Sequence, residues 1–98
     1  MKNNLIELTG NNDIEGVKKF IADGGDINMQ DEYGATALFY VSWFNHLEIA
    51  ELLIKAGAEV SLKALDIAIK CDRFEIVIAL IEAEAKQKNQ VKRLRQQK

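Results

Sequence analysis

The 98-residue chain offers a single cysteine, Cys71, and a single histidine, His46, as its nucleophile and its imidazole base. Nucleophilic catalysis needs such a pair within hydrogen-bond reach, with a third group orienting the base. Here each is alone in type and the two stand in different segments, so no catalytic site is expected. One cysteine and one histidine are too few for a zinc site of the usual nitrogen and sulfur donors. The lone thiol also excludes an intramolecular disulfide and suits a reducing compartment. Gly24-Gly25 follows no strand, so it is not a phosphate-binding loop. No cofactor, metal or enzyme activity is expected. Recognition chemistry remains. Among seven aromatic residues, Tyr33, Trp43 and Phe44 stand out, because Trp and Tyr bury large areas at low entropic cost and dominate binding hot spots. Trp43 and Phe44 are adjacent, and two such rings cannot both point inward from one short helix.

The formal charge of −2 hides an asymmetry. Residues 1–84 hold all 15 acidic groups and seven of the 13 basic ones, a balance of −8, while residues 85–98 carry six basic groups and no acid. This tail, with Lys86, Lys88, Lys92, Arg93, Arg95 and Lys98, could attract nucleic acid or anionic lipid by counterion release. It has no aromatic residue to stack on a base. Its apolar stripe is only Val91 and Leu94, too little for insertion into a membrane. A solvated helix end that complements its own dipole, or balances the acidic body, is the preferred account. Neither nucleic acid nor a membrane is therefore an expected partner. No apolar run approaches the roughly 18 residues of a membrane span. Leu5 and Ile6 are followed at once by Glu7, leaving no signal-peptide core. A hydrophobic fraction of 48% is too high for a disordered chain. The expectation is one small, soluble, cytoplasmic unit.

The elements that position these residues are helices. Apolar residues recur at helical spacing in three stripes: Ile14, Val17, Phe20 and Ile21; Leu47, Ala50, Leu53 and Ile54; Phe74, Val77, Leu80 and Ile81. Each follows a polar punctuation (Asn11-Asn12-Asp13, Asn45-His46, Cys71-Asp72-Arg73) and a shorter apolar stretch, giving short helix, turn, longer helix, three times. Asp13 and Asp72 are expected N-caps, as is Thr36 before the second short helix. Gly24 and Gly57 suit left-handed ends of long helices, and Gly34 a tight turn. Gly16, inside a helix at about 1 kcal/mol against alanine, marks a close helix approach. The segment from Asp13 to Ile21 matches that from His46 to Ile54 at an offset of 33, and the third copy, Arg73 to Ile81, follows after only 27 residues.

A 33-residue period with these letters resembles the ankyrin repeat. The second copy carries Asp31, Gly34, Thr36 and Leu38 at the places of the family's D-x-x-G-x-T-P-L-H pattern, with Ala37 for its proline and Phe39 for its histidine. Gly24-Gly25-Asp26-Ile27-Asn28 meets the family's G-A-D-V-N ending, and Gly57 to Ser61 meets it loosely. The resemblance implies an all-α solenoid of about two and a half repeats: copies at 1–30, 31–61 and 62–85, then a basic helical extension over 86–98. The first copy, with Lys18 and Lys19 outward, reads as an N-terminal cap. The third copy lacks the Asp-x-x-Gly-x-Thr turn, so one hairpin-like turn around 28–35 is expected. Glu84 replaces a capping glycine, so the last helix should run on toward Arg95. The resemblance also implies a non-catalytic module that binds a partner protein on a concave face. It places Tyr33, Trp43 and Phe44 there, flanked by Glu32 and Ala35, with Lys70 and Cys71 at the equivalent places of the third copy. Phe39 and Tyr40 are expected as packing residues, with a place for Tyr40 at the edge of the concave surface. The alternative is a chain that completes an incomplete array as a homodimer, through Trp43-Phe44 or through an exposed Ile78.

Overall fold

The computed structural model describes residues 4–96, with side chains described from residue 5 to residue 89. Lys98, and the side chains of Val91, Lys92, Arg93, Leu94 and Arg95 on which the reading of the tail rests, lie outside the described residues. Among the described residues there are six helices and no strand: α1 (Asn4–Gly10), α2 (Ile14–Ala22), α3 (Ala37–Phe44), α4 (Leu47–Lys55), α5 (Leu62–Lys70) and α6 (Phe74–Gln96). They form the expected all-α solenoid of paired helices, with α1, α3 and α5 packed as one row and α2, α4 and α6 as the other.

Each helix pair is joined by the same local device. Asn12, Asn45 and Asp72 adopt left-handed φ values of 55°, 63° and 59°, a region that Asn and Asp enter more readily than other side chains. The next residue then stands at the N-cap of the longer helix. Asp13 caps α2, its Oδ1 accepting the Gly16 N–H at 2.9 Å. Asp72 was expected to do the same for α6. It does not, because it occupies the left-handed position rather than the cap position, which falls to Arg73. Thr36 does stand at the N-cap of α3 in extended backbone, but its hydroxyl makes no capping bond and is buried without a partner. Ser61 caps α5 with a bond from the Ala64 N–H at 3.2 Å.

Gly24 and Gly57 end α2 and α4 at φ of +80° and +95°, where a side chain would be strained. The close approach expected at Gly16 is present: a Cβ there would lie 2.6 Å from Leu8 Cδ2 on α1.

The core draws on every helix. Leu5, Val17, Leu38, Val41, Ile49, Leu53, Ile76 and Leu80 are fully buried, with Ala50, Ala64 and Ala68 letting the helices approach. Thr9 and Ser42, buried at equivalent places of the first two copies, donate back to the Leu5 and Leu38 carbonyls at 2.7 and 3.0 Å. That satisfies each hydroxyl inside its own helix.

The shortened third copy has a structural compensation. Only residues 56–61 join α4 to α5, against 23–36 between α2 and α3. The long α6 closes over this bare link. Gln87 donates from Nε2 to the Ala58 carbonyl at 3.0 Å, and Ala58 and Ala83 are buried beneath it. The last helix thus continues past Glu84 as expected, and its added turns cover backbone that the missing turn leaves open.

Candidate partner-binding groove

The turn that opens the second repeat is organised by one carboxylate. Asp31 Oδ1 accepts the Tyr33 and Ala35 N–H groups at 2.9 and 3.0 Å, while the Asp31 N–H donates to the Ala35 carbonyl at 2.9 Å. Asp31 Oδ2 accepts the Tyr40 hydroxyl, which ties the turn to α3. With Gly34 at φ +75°, this holds Tyr33 out at the tip, 73% exposed.

Helix α3 is apolar on both faces. Ala37, Leu38, Val41 and Ser42 take the core side, Phe39 packs partly against the same core, and Tyr40, Trp43 and Phe44 turn the other way. Phe39 meets Tyr40 edge-on, centroids 5.2 Å apart, and Trp43 at 5.9 Å. Phe44 stacks on His46 at 5.7 Å. Trp43 and Phe44 remain about half exposed, at 49% and 47%. Between the turn, α3 and α5 lies a groove of about 550 Å³, lined by Tyr33, Ala35, Phe39, Tyr40, Trp43, Phe44, Lys63 and Asp66.

The third repeat holds both rims of this groove. Lys63 on α5 donates from Nζ to the Tyr33 carbonyl at 2.9 Å. Arg73 donates from Nε and Nη2 to the Ser42 and Trp43 carbonyls at 3.3 and 2.8 Å. These are orphan carbonyls at the end of α3, where a cation also complements the helix dipole.

The residues expected from sequence divide accordingly. Tyr33, Ala35, Trp43 and Phe44 come together in the groove. Glu32 is exposed beside it and does not line it. Lys70 pairs with Asp66 at 3.1 Å from the far end of α5, and Cys71, partly buried, ends that helix; neither lines the groove. Phe39 and Tyr40, expected as packing residues, are both partly buried, Phe39 against the core, and both line the groove. Lys63 and Asp66 had no sequence signal beyond their i, i+3 spacing on α5. Among the described residues, no group of His, Cys, Asp and Glu is placed to hold a metal ion. No helix among them is long and apolar enough to cross a membrane.

The Tyr40 hydroxyl holds the Asp31 carboxyl below its ordinary pKa, helped by the two backbone N–H groups and by Lys63, against an opposing push from burial. The same bond raises the Tyr40 phenol to about 12. The lowered Asp31 contributes stability above its unfolded pKa, lost as pH falls through the folded value. The raised Tyr40 contributes below about 10, lost as pH rises toward 12. The melting temperature of the wild type should therefore fall at both extremes. Tyr40→Phe should remove the alkaline limb and shrink the acid limb, because the folded pKa of Asp31 then lies nearer its unfolded value. An unchanged acid limb in melting curves of that variant would show that the bond does not stabilise the turn.

A family model described as ankyrin repeats, in three copies, matches residues 5–92. The chain is also similar to the E3 ubiquitin-protein ligase Ufd4 of Drosophila melanogaster, 38% identical over 58 residues. That stretch is 58% of this chain but 2% of the ligase, so the likeness is at the level of repeats. Matched along most of its length by that model, and folded as its letters require, the chain belongs to the ankyrin-repeat family.

Proposed function

We propose that the chain is a non-catalytic interaction module that binds a partner protein through the groove between the 28–35 turn, α3 and α5. Ankyrin repeats mediate protein–protein interaction in general; the choice of face is the new claim. The observation that carries it is the pair of half-exposed rings at the end of α3, Trp43 and Phe44, beside a tip-borne Tyr33 and over an aromatic floor. An exposed aromatic cluster of this kind, at a surface already fixed by hydrogen bonds from Lys63 and Arg73, offers large contact area with little left to order on binding. The polar rim, Lys63 with Asp66, would set orientation rather than affinity. Cys71 as a free thiol supports a cytoplasmic setting for this role.

Trp43 is the sole tryptophan, so its emission reports occupancy directly. A partner captured from cell extract should shift that emission to the blue on titration. Trp43→Ala should weaken the complex at least tenfold, about 1.4 kcal/mol, and Tyr33→Ala should weaken it less. A partner held equally by wild type and Trp43→Ala, with no change in emission, would move the binding face elsewhere.

A further inference from the structure

The main chain bordering the groove is already engaged. The Tyr33 N–H donates to Asp31 Oδ1 at 2.9 Å, and the Tyr33 carbonyl accepts from Lys63 Nζ at 2.9 Å. Gly34 donates to the Asp31 carbonyl at 2.9 Å. Ala35 is paired through both groups, its N–H to Asp31 Oδ1 at 3.0 Å and its carbonyl from the Asp31 N–H at 2.9 Å. In this run only the Gly34 carbonyl is left over. The other walls are helices, whose main chain is paired internally, and Arg73 takes the Ser42 and Trp43 carbonyls where α3 ends. An extended segment gains affinity by adding main-chain bonds to a free edge. Among the described residues the groove offers no such edge. A helix arrives with its main chain already paired, so it needs only side-chain contact.

Size and charge narrow the occupant further. The groove, about 550 Å³, has roughly the volume of one helical turn 10–12 Å across, so it takes the apolar stripe of a helix rather than the whole. Two charged side chains line it, Lys63 and Asp66. Asp66 is met by Lys70 at 3.1 Å. Lys63 makes no ion pair among the described residues. One of its N–H donors is on the Tyr33 carbonyl, which leaves two. Asp31, whose charge it feels, is spent on Tyr40 and two N–H groups. Arg73, also without a carboxylate, keeps the opposite rim positive. Glu32 and Asp72 are exposed but line no part of the groove. Resting on the groove as the binding face, we propose that the partner segment filling it is an amphipathic helix. Its apolar residues recur at i, i+3 or i+4, and i+7, with an Asp or Glu beside that stripe to meet Lys63.

A displayed library of random peptides of about 16 residues, some four helical turns, selected on the full chain, tests it. Recovered peptides should lack proline, show the helical apolar spacing, carry Asp or Glu, and gain helical circular dichroism when bound. They should shift Trp43 emission to the blue and lose at least tenfold in affinity on Trp43→Ala. Lys63→Gln keeps an N–H donor for the Tyr33 carbonyl but loses the charge. It should weaken them about three- to fivefold and reduce their salt dependence, and selection repeated on it should no longer enrich acids. Proline-bearing or alternating peptides, helical ones without acids, or no binder at all would overturn the acidic helix. The groove itself would stand in those cases if a captured partner still needed Trp43. Equal affinity for wild type and Lys63→Gln would overturn the carboxylate contact. Peptides and captured partner alike indifferent to Trp43→Ala would overturn the groove as the binding face.

Discussion

Ile76→Ala should cost about 2–5 kcal/mol, the usual range for emptying a fully buried site of this size. Ile78→Ala, two residues along the same helix, should cost less than about 1 kcal/mol. The difference rests on orientation alone. Ile76 is wholly buried among the core side chains, while Ile78 is 57% exposed. Against a total stability of about 5–15 kcal/mol for a domain, the first loss is large enough to populate unfolded chain at ordinary temperature. Urea titrations followed by circular dichroism separate the two. Equal costs would mean that α6 is rotated from the orientation described.

Arg73→Ala should cost about 1.5–3 kcal/mol, since it removes two charge-assisted bonds and leaves the Ser42 and Trp43 carbonyls with only water. The loss should also appear at the groove. With its backbone released, Trp43 should emit further to the red and bind partner more weakly, although Arg73 itself need not touch the partner. Arg73→Lys keeps the charge but not the fork that reaches two carbonyls at once, so it should recover less than half of the stability. Emission and binding unchanged in Arg73→Ala, beside a lowered melting temperature, would show that Arg73 supports the fold without shaping the site.

The repeat was legible because the polar punctuations and the stripes after them keep one register, and that register is physical: left-handed residue, cap, long helix. The error at Asp72 came from reading a residue type without its register. Aspartate favours both an N-cap and a left-handed turn, and only alignment on Asn12-Asp13 distinguishes them. The groove was half legible. Adjacent Trp43 and Phe44 had to be partly outward, and they are. Phe39 and Tyr40 both pack and line the groove, because α3 is apolar all round and periodicity along it cannot say which stripe meets the core. The buried Ser42 shows the difficulty: a hydroxyl that bonds its own helix can sit inside while larger apolar rings sit outside. Lys63 and Arg73 were beyond reach, since their partners are backbone carbonyls one repeat away, and no sequence pattern marks a carbonyl.

Those long-reaching bonds have a common span. Glu59 to Asn28, Lys63 to Tyr33, Arg73 to Ser42 and to Trp43, and Gln87 to Ala58 join residues 29 to 31 apart. Each secures one repeat from the next. A chain emerging from the ribosome can therefore settle its turns in the order it is made, every closure waiting for about thirty further residues. Each closure thus needs only the next repeat to be made, as in repeat arrays whose units contact their neighbours. The link between α4 and α5 is the last of these to be secured, because its Ala58 carbonyl waits for Gln87. In the nascent chain, the second repeat would carry a finished groove rim before its own far end was sealed.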